Sequence, residues 1–240
     1  MYIDSHLHIC DPVNIDYSDV RRLYINSVIP EEFPFIDNIS QHYSKVTPFY
    51  GVHPWFAARL QPDWFSMLEH YIFSNPAAGI GEIGMDKTHR AIDLKLQRDI
   101  FERQLDLAVA GNRPVCIHST GCSGTVRDII CNAGIRNYFL LHSYSGSAQS
   151  AAEFLELGAY FSFSMRQLNT SDIKNILSAV PLERIMVETD IDNDSKKEYL
   201  VLLKETYEKM AGLLSISIEE LQAELIRNEQ TFTNRDTSGQ

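Results

Sequence analysis

The sequence predicts an α/β fold, a parallel (β/α)8 barrel of the TIM type in one domain, and three observations predict it. Strand-like and helix-like segments alternate along the chain with no linker, repeat or low-complexity stretch between them, as expected of successive βα units around a parallel sheet. The length of 240 residues suits a barrel, which needs ~250 residues and leaves little over for a second domain. Five short apolar runs end on a histidine or a carboxylate, and strand carboxyl ends are where barrels and open α/β sheets build their sites.

The first strand opens at Tyr2-Ile3 and leads to Asp4, His6 and His8. Residues 24–29 and 47–52 read as strands two and three, being short apolar runs of buried-strand length. Strands four, five and six are the runs ending at Glu82, His118 and His142. Residues 159–163 supply the seventh strand and Ile185-Met186-Val187 the eighth, leading to Glu188 and Asp190. Between them, residues 62–73, 94–110, 124–133, 148–157, 171–177, 196–213 and 218–226 carry apolar residues at spacings of three and four, the signature of helices with one buried face. Gly111 and Gly158 follow helices where a left-handed cap is expected. The first two connections hold weaker helical patterns. Residues 1–232 are read as the barrel and 233–240 as a polar, flexible tail.

Composition narrows the function classes. Apolar residues make up 44% of the chain, enough for a sizeable core and too many for a disordered protein. No apolar stretch approaches the ~20 residues of a membrane span, and nothing resembles a signal peptide, so a cytoplasmic location is expected and no membrane is. The four cysteines, Cys10, Cys116, Cys122 and Cys131, lack disulfide-framework or C-x2-C spacing, which suits free thiols in a reducing compartment. The net charge is -11 with no basic run, which argues against tight nonspecific binding to duplex nucleic acid. Bound divalent metals would reverse the field locally, so phosphoester chemistry stays open. No obligate protein partner is implied.

The strand-end residues carry the chemistry. In His6-Leu7-His8 two imidazoles stand two residues apart, so an extended strand projects both to one side. Taken alone, the pair reads equally as solvated histidines. Asp4 reads either as an acceptor that fixes an imidazole or as a strand-end charge. Glu82 lies between glycines in Gly81-Glu82-Ile83-Gly84, which permit close backbone approach; by itself it reads as an ordinary turn. His118 and His142 close adjacent strands, and Asp190 closes the last strand, which lies beside the first in a closed barrel. Glu188 points to the same side as Asp190, but deeper. Imidazoles and carboxylates together form a ligand set for divalent metals such as zinc, manganese or nickel, and the chain reads as a metal-dependent hydrolase.

The strings DSHLH, GVHPW, GIGEIGMDK, PVCIHS, LLHSYSGSAQ and RIMVETD run in that order from Asp4 to Asp190. In them the sequence resembles the TatD family of metal-dependent deoxyribonucleases, within the amidohydrolase-like superfamily of barrels. The short chain, GVHPW and GMDK are similar to a compact bacterial TatD-like subgroup. The resemblance implies up to two divalent ions per chain, zinc, magnesium, manganese or nickel. It implies His6, His8 and Asp190 on one ion, His118 and His142 on the other, and Glu82 bridging them as a catalytic ligand. It also implies Asp190 as the proton acceptor and His53 at the substrate phosphate. Trp55, with Phe56, would stack on a base or pack on the rim.

The chain departs from the family on the substrate side. Thr120 stands where the family usually has Arg, the loop after Asp190 is shortened to residues 191–195, and the first connection is compact. The leading expectation is phosphodiester hydrolysis, 3′-to-5′ on single-stranded DNA ends, short oligonucleotides or small phosphoesters. Hydrolysis of a small cyclic amide or lactone is a second reading, weakened because Glu82 stands where those enzymes often bridge metals with a modified lysine. A barrel that binds metal without turnover is a third.

Overall fold

The computed structural model describes residues 1–8, 18–88, 92–135, 139–192 and 198–233. Among them, eight strands pair in parallel in sequence order: β1 (Tyr2–Leu7), β2 (Val20–Asn26), β3 (Val46–Tyr50), β4 (Gly79–Asp86), β5 (Val115–Thr120), β6 (Phe139–Leu141), β7 (Tyr160–Phe163) and β8 (Ile185–Val187). The helices on the outside are α1 (Phe33–His42), α2 (Trp64–Ser74), α3 (Leu94–Gly111), α4 (Ser123–Ala133), α5 (Ala148–Leu155), α6 (Met165–Leu168), α7 (Ile173–Ala179), α8 (Tyr199–Leu214) and α9 (Ile218–Thr233). The result is a nearly closed (β/α)8 barrel in one domain. No helix among the described residues is long and apolar enough to cross a membrane.

Inward-facing side chains from seven strands, Ile3, Tyr24, Phe49, Cys116, Leu140, Tyr160 and Met186, fill the barrel interior together with Phe232 of α9. The Phe232 ring lies 5.4 Å from Tyr160, 6.2 Å from Tyr24 and 6.5 Å from Phe49 by centroid, so α9 closes the barrel floor. A larger apolar layer fills the space between strands and helices. With the amino-terminal end plugged, the carboxyl end is the open mouth.

The seam between β8 and β1 is closed by a mixed set of bonds. Asp190 N–H donates to the His6 carbonyl at 3.1 Å and His8 N–H to the Ile191 carbonyl at 2.8 Å. Deeper in, Ser5 Oγ donates to the Val187 carbonyl, and Asp4 accepts from Thr189 N–H at 3.0 Å and Thr189 Oγ1 at 2.6 Å. At the base, the Tyr207 hydroxyl of α8 serves both the N–H and the carbonyl of Ile3, each at 2.9 Å. Among the described residues Asp4 hydrogen-bonds to no imidazole ring; it latches β1 to the turn after β8. Burial pushes its carboxyl up to about 7 against the Thr189 bonds.

Several boundaries differ from the sequence reading. Strand β2 starts and ends earlier than residues 24–29, and β4 runs on to Asp86 through Gly84. Gly111 is the last residue of α3, and Asn112 takes the left-handed cap at φ 46°, while Gly158 is left-handed as expected and Gly134 caps α4. An Asn tolerates this conformation because its short polar side chain bonds locally. Thr233, assigned to the tail, ends α9. The remainder of the tail, Cys10 and most of the first connection lie outside the described residues.

Candidate metal centre

Glu82 is buried on β4, and glycines let the neighbouring strands approach it. A Cβ on Gly81 would lie 2.7 Å from both Asn26 Oδ1 and Cys116 Cβ, and one on Gly84, at φ 139°, would lie 2.0 Å from the His118 carbonyl oxygen. Any side chain there would push β2 and β5 away from the carboxylate. The two oxygens of Glu82 face different groups. Oε2 lies 3.1 Å from His8 Nε2 and 3.5 Å from His6 Nε2. Oε1 lies 2.7 Å from His142 Nε2, 2.9 Å from His118 Nδ1 and 3.3 Å from His53 Nε2. Burial alone would raise this carboxyl, but His142, His53 and His118 hold it well below the usual carboxylate range.

The imidazoles of His8, His6 and His118 are each oriented from behind. His8 Nδ1–H donates to the Asn26 carbonyl at 2.9 Å, so the neutral ring keeps its lone pair on Nε2. His6 sets Nδ1 against Cys116 Sγ at 3.1 Å, and the two Nε2 atoms come within 3.0 Å of each other. His118 Nε2–H donates to Asp86 Oδ2 at 3.2 Å, so Nδ1 is the free nitrogen, 3.2 Å from His142 Nε2. Burial lowers His8, yet Glu82 and Asp190 push it up to about 9; burial lowers His118, yet Asp86 and Glu82 push it up to about 9. Burial and the neighbouring His142 bring His6 down to about 3. The carboxylates thus draw protons onto His8 and His118, protons that a bound cation would release.

Asp190 lies three residues beyond β8 in the left-handed conformation, φ 52°. This turn brings Oδ1 to 3.6 Å from His6 Nε2 and 3.9 Å from His8 Nε2. Ser143 Oγ donates to the other oxygen at 3.0 Å. Burial raises this carboxyl, but His142 and His6 outweigh it and hold it down. Glu188 is fully buried beneath, bonded by Ser143 N–H at 2.8 Å and by the Ser162 hydroxyl, and burial pushes it up to about 7. It reaches only 3.9 Å from His142 Nδ1, a nitrogen with no hydrogen-bond partner among the described residues.

The arrangement can hold cations. His6, His8 and Asp190 form one cluster of potential ligand atoms, and Glu82 closes others with His6 and His142 and with His53 and His118. Ligand atoms around one tetrahedral zinc stand about 3.4 Å apart, close to the separations found here. Imidazole nitrogens 3.0–3.2 Å apart around the buried Glu82 carboxylate form a compact donor set in which a cation can take the place of protons. A nitrogen and oxygen donor set of this kind suits zinc, manganese or nickel.

His53 stands within the cluster. It caps the 3-10 helix of residues 54–59, its Nδ1 accepting from Trp55 N–H at 3.2 Å, so Nε2 carries the proton and donates toward Glu82. Trp55 is 43% exposed, its indole N–H anchored to Asp86 Oδ2 at 2.8 Å. Both line an open cavity of about 590 Å³ above Glu82, and Thr120 and Arg166 line it too. His6, His8, Glu82, His118, His142 and Asp190, named from the sequence, lie together at the barrel mouth, whereas sequence reasoning did not single out Asp86, Ser143 or Arg166. Asp86 and Ser143 do lie inside the quoted strings GIGEIGMDK and LLHSYSGSAQ; Arg166 had no such signal.

A family profile described as TatD related DNase matches residues 3–234. A protein of Escherichia coli K12 named as an uncharacterized metal-dependent hydrolase, YcfH, is 24% identical over 242 residues, covering 91% of this chain and 90% of its own. A zebrafish (Danio rerio) protein named as a candidate deoxyribonuclease, tatdn3, is 27% identical over 212 residues, covering 79% of each chain. Among solved structures, the TatD homologue YjjV of Escherichia coli superimposes with a TM-score of 0.87 at 20% identity, covering 96% of this chain and 97% of its own.

Proposed function

Because the chain belongs to the TatD related DNase family and is a metal-dependent hydrolase, we propose that it hydrolyses phosphodiesters, as a 3′-to-5′ exonuclease on single-stranded DNA ends or short oligonucleotides. One observation carries the reading: the two oxygens of buried Glu82 divide between His6 with His8 and His118 with His142. In this reading His6, His8 and Asp190 would hold one divalent ion and His118 and His142 a second, with Glu82 a ligand available to both. Two such ions, when bound, supply Lewis-acid stabilisation of a phosphoryl oxygen and an acidified water.

The side chains then have separate tasks. Asp190 Oδ1 faces the pair His6 and His8 while Ser143 holds Oδ2, so Oδ1 is placed to take the proton of the attacking water. Its lowered pKa keeps it ionised, and therefore a base, at neutral pH. His53 directs its Nε2–H into the cavity floor, and Thr120 offers a hydroxyl at the mouth. Trp55, exposed and anchored by Asp86, presents a face on which a terminal base stacks, worth ~1–3 kcal/mol per base. The free thiols of Cys116, Cys122 and Cys131 support a cytoplasmic setting.

The test is a screen of the purified protein reconstituted with zinc, manganese, magnesium or nickel. Substrates are a labelled single-stranded oligonucleotide, bis(p-nitrophenyl) phosphate and a cyclic amide. Diester hydrolysis that disappears on chelation is expected. Asp190→Asn should cut turnover ~10²–10⁴-fold at equal metal content, the range for a positioned acid–base group. Cyclic-amide turnover with none on either diester would overturn the proposal, and near wild-type turnover in Asp190→Asn would remove that residue as the base.

A further inference from the structure

The residues lining the cavity are acidic in balance. Glu32, Glu82, Asp86, Asp190 and Asp192 all contribute carboxylates, and Arg166 is the one permanent cation among the described residues that line it. Among the described residues, Arg166 is therefore the fixed positive side chain that a phosphate entering this mouth would meet. Thr120, at the end of β5 where a cation was expected, lines the same cavity with a neutral hydroxyl.

Arg166 is well placed for that task. It lies on the short helix α6, which follows β7 directly. Its neighbours fasten the segment: Ser164 Oγ and Gln167 Oε1 are 2.5 Å apart in a capping box, and both residues are buried. The guanidinium is open to solvent, with its side chain 74% exposed, and Nη2 stands 3.6 Å from Asp190 Oδ2. That distance is too long for a hydrogen bond, and an exposed pair of this kind contributes little to stability. A fork of N–H donors standing beside the proposed base, and not locked to it, matches the geometry of a phosphate oxygen pair.

We infer that Arg166 is the substrate-phosphate clamp of this enzyme, binding the non-bridging oxygens of the scissile phosphate from the β7 side in place of a cation at position 120. The inference rests on the phosphodiester reading above and assigns its specificity for anionic esters to one residue. One clamp grips one phosphate, so the preference falls on terminal or short substrates and not on long strands.

The experiment measures binding of inorganic phosphate to the metal-loaded protein by calorimetry, for wild type, Arg166→Gln and Arg166→Lys, with metal content determined alongside. Arg166→Gln should weaken phosphate binding about tenfold or more, as expected for loss of a charge-assisted contact, with unchanged metal content and melting temperature. Arg166→Lys should recover part of the loss, because it restores charge without the fork. In turnover, KM for bis(p-nitrophenyl) phosphate should rise more than kcat falls in Arg166→Gln, while a neutral carboxylic ester is handled alike by both proteins. Equal phosphate affinity in wild type and Arg166→Gln, or no phosphate binding by wild type, would overturn the assignment. So would an equal kcat loss on the neutral ester, which would make Arg166 a positioner of Asp190. A wild type that binds phosphate through Arg166 but cleaves no diester would sink the proposed reaction while leaving the clamp in place.

Discussion

His118 presents Nδ1 to Glu82 because Asp86 accepts the proton on Nε2. Asp86 also accepts from Trp55 Nε1 and from both the N–H and hydroxyl of Thr88, so one carboxylate fixes an imidazole, an indole and the loop after β4. Burial raises this carboxyl, but His118, Thr88 and Trp55 more than offset it, and it stays ionised. Asp86→Asn keeps the shape and removes the charge that favours the required tautomer. It should weaken metal affinity ~10–100-fold, the usual cost of losing such a supporting partner, measured by competition with a chromogenic chelator. Unchanged affinity would show that His118 needs no such support. At this scale the sequence was legible where a residue acts directly: His6, His8, Glu82, His118, His142 and Asp190 each stand at or just beyond the carboxyl end of an apolar run. Residues that act through another were not legible, because nothing in the order of the chain says that Asp86 meets His118 or that Cys116 backs His6.

The strands and helices were legible in kind and order, since apolar runs and three–four spacing report burial directly. Their ends were harder to read, because termini are set by caps and by neighbouring strands. Strand β4 continues past Gly84 because β5 pairs with it there, Gly84 against His118 and Asp86 against Thr120. The β8–β1 seam was the least legible element. Its closure uses side chains, and Asp4, which reads in sequence either as an imidazole acceptor or as a strand-end charge, latches Thr189. That latch fixes the turn that carries Asp190. Asp4→Ala would leave the buried Thr189 N–H and hydroxyl unpaired and should cost ~1–3 kcal/mol in urea unfolding, with turnover falling further than metal content. Asp4→Asn, which retains an acceptor, should lose less. Full stability in Asp4→Ala would mean that the backbone bonds from Asp190 and His8 close the seam alone.

Across the whole molecule, the barrel separates stability from chemistry. Phe232 and the interior rings seal the amino-terminal end, while among the described residues five carboxylates and one arginine line the open end. The net charge of -11 and the acidic balance of the described residues at the mouth both disfavour long polyanions. Neither affects a reaction centre that would carry its own positive charge as metal.

If Glu82 serves two ions, titrating metal-free protein with zinc or manganese while following bound equivalents and diester hydrolysis together should show it. Saturation is expected at two ions per chain, with turnover rising as the second site fills, and weaker binding at both sites in Glu82→Gln. Full activity with a single equivalent, or two sites indifferent to Glu82→Gln, would contradict that role of Glu82.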